Sequence, residues 1–114
     1  LLVDPAIGFF RHTEHPWYIW DCEVIAGLAR IRRELGRPVC VGVSRKSFIG
    51  ALLGREDPEE RLYGSLSATA VAVFNGADLV RTHDVAATLD AVRMAEFLRK
   101  AASSLQEGWE RGSA

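Results

Sequence analysis

The sequence predicts an α/β fold made of three strand-and-helix units with parallel strands. Short apolar runs typical of buried strands begin near residues 1, 39 and 78, and each is followed by a segment with helical periodicity. Polar residues lie at the C-terminal ends of these runs, where (βα)8 barrels and open α/β sheets both place their active sites. The three units therefore fit either part of a doubly wound sheet or three-eighths of a (βα)8 barrel.

The composition is that of an ordinary globular domain. The 114 residues are 48% hydrophobic, 25% charged and carry a formal net charge of −1. Because 14 Lys and Arg are balanced by 15 Asp and Glu, there is no basic excess for binding nucleic acid. Cys22 and Cys40 lack a second Cys or His at ligand spacing, which predicts two buried thiols in a reducing compartment. No apolar stretch reaches the roughly 20 residues that cross a bilayer, so we expect a cytoplasmic protein without a membrane partner.

The first unit begins with the apolar run at residues 1–3, which is strand-like and ends before Pro5. Since the chain opens inside this run and has no initiator Met, we expect it to be a fragment of a longer protein. Residues 6–15 show no sustained period and are predicted to form a long, functional loop. One helix is expected over residues 17–35, where apolar positions recur every three or four residues, with Gly36 as its stop.

The second unit begins with a nearly continuous apolar run at residues 39–43, which is typical of a strand buried on both faces. A helix is expected to start within residues 44–47 and to end at Gly54. The next helix is predicted from Asp57, a suitable N-cap followed by proline and two acids, to Phe74.

The third unit consists of a strand at residues 78–83 and a helix from about residue 85 to residue 100, which Asp84 can cap. Residues 101–114 are rich in Gly, Ser and Glu and are expected to fray. The sequence thus predicts one domain over residues 1–100 and a frayed tail.

Two of the strand ends carry side chains suited to a small polar ligand. Asp4 can accept hydrogen bonds from two adjacent ring N–H groups, although it equally suits a cap on the turn before Pro5. At residues 44–47, Ser-Arg-Lys-Ser, a helix N-terminus and the Ser47 hydroxyl favour an anion. Arg45 and Lys46 oppose the helix dipole there unless a ligand or a carboxylate stabilises them; the alternative is a solvated surface pair.

The third strand end places Arg81 and His83 two residues apart, and therefore on one face of the strand. An arginine fork beside a histidine suits a phosphate or diphosphate, whereas the alternative pairs Arg81 with Asp4 or Asp84 and gives His83 a local hydrogen bond. A metal site at two other histidines, three residues apart in the loop, is disfavoured because no third ligand is near.

Three segments at these strand ends, LLVDPAIGF, SRKSFIG and RTHDV, resemble dihydropteroate synthases, and the resemblance continues over about 100 of the 114 residues. It implies that the chain is the last three βα units of a (βα)8 TIM barrel, a partial barrel with parallel strands. Two features depart from the family pattern: Ala6 stands where glycine is usual, and residues 10–21 fit the common loop poorly.

The resemblance implies a role for each of four charged side chains. Asp4, Lys46 and Arg81 would bind the pterin ring. Arg81 and His83 would bind the diphosphate. Lys46, Arg81 and His83 would then be the catalytic residues.

The resemblance also implies that Ser47, Phe9 and Arg45 bind p-aminobenzoate. The implied reaction joins p-aminobenzoate to 6-hydroxymethyl-7,8-dihydropterin diphosphate, with Mg²⁺ assisting through a ligand outside this chain, and the intact protein would be a homodimer. Because five βα units are absent, the isolated chain is expected to be inactive. The alternatives are a pterin-dependent methyltransferase that works with a corrinoid, and a non-catalytic pterin-binding or assembly module.

Overall fold

The computed structural model describes Asp4 and residues 16–112. The predicted first strand and the predicted loop at residues 6–15 lie outside the described residues, apart from Asp4 itself. The helices and strands of the described part are α1 Trp17–Ala26, α2 Leu28–Leu35, β1 Cys40–Val41, α3 Ser47–Leu53, a short 3-10 helix Pro58–Arg61, α4 Leu62–Phe74, β2 Leu79–Val80 and α5 Val85–Gly112.

The two strands form a parallel pair, in which Cys40 lies opposite Leu79 and Val41 opposite Val80. The pairing continues past β2, because the Arg81 N–H donates to the Val41 carbonyl at 2.9 Å. With α3 and α4 lying between the strands in sequence, this arrangement confirms the predicted parallel α/β organisation. The strands are shorter than the apolar runs that predicted them.

The core lies around β1, as expected for a strand buried on both faces. Val39, Val41 and Val43 are fully buried, and Leu28 of α2 and Phe48 of α3 pack in the same cluster. These five side chains join the strand to the helices that flank it. Their burial removes apolar surface from water and so stabilises the fold.

The single helix predicted over residues 17–35 is divided into α1 and α2 at Gly27. The Gly27 N–H still donates to the Glu23 carbonyl at 2.8 Å, and its own carbonyl accepts from Arg30 at 3.1 Å. Glycine is a poor residue for a helix interior because it has a large conformational entropy. The apolar periodicity was therefore a correct guide to the helices but not to the break between them.

The predicted helix ends are confirmed at four places. Gly36 and Gly54 adopt left-handed conformations with φ of 62° and 68°, as C-terminal glycines do. The Asp57 carboxylate accepts from the Glu59 N–H at 3.0 Å and caps the segment that begins there, although its first turn is a 3-10 helix. Asn75 follows Phe74, the last residue of α4.

Helix α5 corrects the expectation that the final helix ends near Lys100 and that the tail frays. It runs for 28 residues to Gly112. Good helix formers continue past Lys100, and Gln106 donates to Glu110 one turn later at 3.2 Å. Despite this length, no helix within residues 16–112 is apolar enough to span a membrane.

Candidate active site

A cavity of about 330 Å³ lies beyond the C-terminal ends of β1 and β2. It is lined by six residues that follow the two strands, namely Gly42, Ser44, Lys46, Arg81, Thr82 and His83. The parallel register explains this grouping, because the residues that follow paired parallel strands emerge at the same edge of the sheet. The structure thus brings Lys46, Arg81 and His83, three of the side chains singled out by sequence, to one hollow.

Asp4 joins this group through an ion pair. Its Oδ2 accepts from Nη2 of Arg81 at 2.5 Å, across 77 positions of sequence. The Arg81 side chain is 63% exposed and that of Asp4 is 40% exposed, so both remain accessible to a ligand. The sequence left open the alternative that Arg81 pairs with Asp4. The structure contains this ion pair, and Arg81 lines the cavity at the same time.

His83 is held by Ser44. The buried Ser44 hydroxyl lies 3.0 Å from Nδ1 of His83 and accepts from the His83 N–H at 3.2 Å. This contact links the end of β1 to the end of β2 and fixes the imidazole at the cavity wall. Ser44 had no predicted role of its own, although its position beside Arg45 at a strand end was the available signal.

Lys46 is half-buried beside two charges of the cavity. Burial lowers the pKa of its ammonium group, and the positive charge of Arg81 acts in the same direction. The Asp4 carboxylate partly opposes this shift. The lysine therefore gives up its proton more readily than a lysine in water, in a cavity whose wall also carries the Arg81 guanidinium.

Arg45 lies beside the cavity, and its guanidinium faces another carboxylate. Nη2 and Nε of Arg45 donate to Asp84 at 3.0 and 3.4 Å. Asp84 thus offsets the cost of placing a cation at the start of α3. Ser47 is the exposed first residue of α3, and Phe9 lies outside the described residues. The predicted contacts of these three residues with p-aminobenzoate stay predictions.

The described residues at this cavity do not fit a magnesium site. Mg²⁺ prefers oxygen ligands in octahedral geometry. The cavity walls instead present lysine, arginine and histidine, and the carboxylate of Asp4 binds Arg81. Among Asp4 and residues 16–112 there is no group of three His, Cys, Asp or Glu side chains placed to hold a metal ion.

Three nitrogen-bearing side chains line one cavity, and a carboxylate lies beside them. This set is suited to an anionic, nitrogen-rich ligand. Comparison with known proteins defines the class of protein. Residues 1–83 match the model of the family described as pterin binding enzyme. The chain therefore belongs to this family.

Its relatives are dihydropteroate synthases. The chain is 39% identical over 98 residues to the enzyme of Synechocystis and 41% identical over 96 residues to that of Escherichia coli. These alignments cover 86% and 84% of the chain but 32% of either relative. The chain thus spans about a third of the length of the curated relatives it matches.

Solved structures give the same result in three dimensions. The dihydropteroate synthase of Xanthomonas albilineans in complex with 7,8-dihydropteroate is 43% identical, with a TM-score of 0.75 over 86% of this chain and 35% of that one. The Stenotrophomonas maltophilia enzyme with active site-bound imidazole is 38% identical, with a TM-score of 0.75 over 85% and 34%. The fold of the described elements is therefore shared with these enzymes.

Proposed function

We propose that the protein to which this chain belongs is a dihydropteroate synthase. It would condense p-aminobenzoate with 6-hydroxymethyl-7,8-dihydropterin diphosphate and release 7,8-dihydropteroate and diphosphate. The observation that carries the proposal is the meeting of Lys46, Arg81 and His83 at one cavity, with Asp4 ion-paired to Arg81, in a chain of the pterin binding enzyme family.

The pterin ring is assigned to Asp4, Lys46 and Arg81. The Asp4 carboxylate has lone pairs beyond the one that accepts from Arg81, so it can also accept from adjacent N–H groups of the ring. The planar Arg81 guanidinium is exposed enough to lie against a flat heterocycle. Lys46 completes the pocket as a donor, since an ammonium group has three N–H bonds.

The diphosphate is assigned to Arg81 and His83. The Arg81 guanidinium and a ring N–H of His83 would donate to the departing diphosphate and stabilise the negative charge that grows on it. The amine of p-aminobenzoate attacks the methylene carbon of the pterin and forms the C–N bond. The C–O bond breaks, diphosphate leaves with the bonding electron pair, and the amine proton passes to solvent. Lys46 would hold the pterin and Arg81 would hold both the pterin and the diphosphate, so the methylene carbon and its leaving group are kept in place for the attack.

The second substrate is assigned to the outer rim of the cavity. Ser47 would donate to the carboxylate of p-aminobenzoate, Phe9 would pack on the ring, and Arg45 would support the rim. Mg²⁺, assisting through a ligand outside this chain, belongs to the same proposal.

The architecture of the whole protein is also proposed. The parallel pair with its crossover helices is consistent with the last three βα units of a (βα)8 barrel. The exposed apolar side chains of α4 and α5, among them Val71, Phe74, Met94 and Leu98, suit a homodimer interface. We further propose a cytoplasmic location.

The test uses the complete reading frame that encodes this chain. The purified protein is incubated with pterin diphosphate and p-aminobenzoate, and 7,8-dihydropteroate is measured by chromatography. We expect product that requires both substrates and a loss of at least about a hundredfold in Lys46→Ala and Arg81→Ala. Near-normal turnover in both variants would remove the site assignment. Methyl transfer from a methyl-folate to a corrinoid would support the methyltransferase instead, and pterin binding without either reaction would support a non-catalytic module.

A further inference from the structure

We infer that Arg61 is a positioning residue: it holds the turn between β1 and α3 in the conformation that presents Lys46 to the cavity. This inference rests on the proposed function, because the turn serves that activity. The turn comprises residues 43–46, and the Lys46 N–H donates to the Val43 carbonyl across it at 3.2 Å.

The backbone of this turn is strained at Arg45. Its φ is +57°, in the left-handed region that residues with a side chain seldom adopt. Turns that require a positive φ at this second central position normally use glycine or asparagine. Surrounding contacts must therefore hold Arg45 in this conformation.

Both backbone groups of Arg45 are held by α4 and the segment before it. The Arg45 N–H donates to the buried Ser65 hydroxyl at 2.8 Å. The Arg45 carbonyl accepts from Nη1 of Arg61 at 2.9 Å. With Asp84 on its side chain, Arg45 is thus restrained from three directions.

Arg61 also binds the segment on the other side of α3. Its Nε donates to the Arg55 carbonyl at 2.8 Å and its Nη2 to the Glu56 carbonyl at 2.7 Å. One planar guanidinium therefore ties the turn before α3 to the loop after it, which the point charge of a lysine cannot reproduce. Gly50 makes room for this group, since a Cβ there would lie 2.6 Å from Nε and Nη2 of Arg61.

Loss of the Arg61 hydrogen bonds has a defined consequence. Arg45 would relax to a negative φ, and the backbone after Arg45 would then run in a different direction, which changes the orientation of Lys46. The Lys46 ammonium group would move away from its place at the cavity. A displacement of about 1 Å is enough to lower a rate a hundredfold.

The experiment measures kcat and KM for both substrates in the complete protein. Arg61→Met is introduced into three backgrounds, which are the wild type, Arg45→Ala and Arg45→Gly. Glycine adopts a positive φ without a clamp, whereas alanine keeps the steric penalty. We expect Arg61→Met to lower kcat/KM about tenfold or more in the wild-type and Arg45→Ala backgrounds, and less than about threefold in Arg45→Gly. Arg33→Met, which removes an exposed guanidinium of α2, is the matched control and should leave activity unchanged.

The outcomes separate the two proposals. Absence of product with the wild-type protein overturns the proposed function and this inference with it. If the wild type is active, an equal loss in all three backgrounds means that Arg61 only stabilises the fold, and no loss in any background means that it positions nothing. Where Arg61→Met does not fold, Ser65→Ala replaces it, because the Ser65 hydroxyl binds the Arg45 N–H and must show the same dependence on residue 45.

Discussion

Lys46 is the cationic group of the cavity whose charge depends most on its surroundings. Burial lowers its pKa, Arg81 adds to the shift, and Asp4 opposes it. A lysine of this kind loses its charge at a lower pH than an exposed lysine does. Its charge, and any affinity for an anion that depends on it, therefore disappears as the pH rises through this lowered pKa.

The lowered pKa of Lys46 predicts how the activity depends on pH. In the complete protein, kcat/KM for the pterin diphosphate should fall on the alkaline side at a pH below 10.5, the ordinary lysine value. Lys46→Arg cannot lose its charge in this range, so its residual activity should lack that fall. The measurement is the pH profile of kcat/KM for both proteins. An identical alkaline limb in the variant would assign the titration to another group or to the substrate.

The residues of the site differ in how far sequence could identify them. Lys46, Arg81 and His83 were predicted because strand ends of parallel sheets converge. The roles of Ser44 and Arg61 were not, since a contact between residues 39 positions apart, or a guanidinium that binds three separate carbonyls, depends on the exact path of the chain. Local sequence contains no information about such distant partners.

At the scale of elements, α4 packs closely on α3 through Gly64. A Cβ at this position would overlap Ile49 and would lie 2.8 Å from Cδ1 of Leu53. Small residues recur along α4, which allows another helix to approach it closely. The close approach leaves no space for even one methyl group.

Two matched glycine substitutions test this packing. Gly64→Ala should destabilise the complete protein by about 1–3 kcal/mol because the two helices must separate. Gly108 lies in α5, where no described residue beyond its own stretch of helix comes within 4 Å of the new methyl group; Gly108→Ala should therefore be neutral or stabilise by up to about 1 kcal/mol because alanine is the better helix former. Urea denaturation followed by circular dichroism measures both changes. Equal changes would mean that α3 and α4 do not pack in this way.

The elements themselves were largely predictable, and the exceptions have physical causes. Periodicity and end signals correctly located α3, α4 and the helix stops at Gly36 and Gly54. The break at Gly27 was missed because a glycine inside an apolar pattern is tolerated in many helices. The extent of α5 was missed because the Gly and Ser content of its end outweighed, in the prediction, the helix formers between them.

The described part of the molecule exposes many large apolar side chains. Fourteen of them are accessible, including Leu79 of β2 at 50%, Phe97 at 69% and Trp109 at 66%. Contiguous apolar side chains at a protein surface are normally covered by other parts of the protein or by a second subunit.

The isolated 114-residue chain should therefore be marginally stable. We expect it to aggregate or to melt without a cooperative transition, whereas the complete protein should show a cooperative melt. Thermal unfolding and light scattering of both proteins provide the comparison. A sharp, reversible melt of the isolated chain as a monomer would contradict its assignment as part of a larger barrel.

The central claim is that Asp4, Lys46 and Arg81 form one pterin pocket. Calorimetric binding of 7,8-dihydropteroate to the complete protein tests it most directly, with Asp4→Asn, Lys46→Met and Arg81→Met beside the wild type. We expect saturable binding by the wild type at one site per chain, and an affinity for 7,8-dihydropteroate that is at least about tenfold lower in each variant. Unchanged affinity in all three variants, or no binding by the wild type, would contradict it.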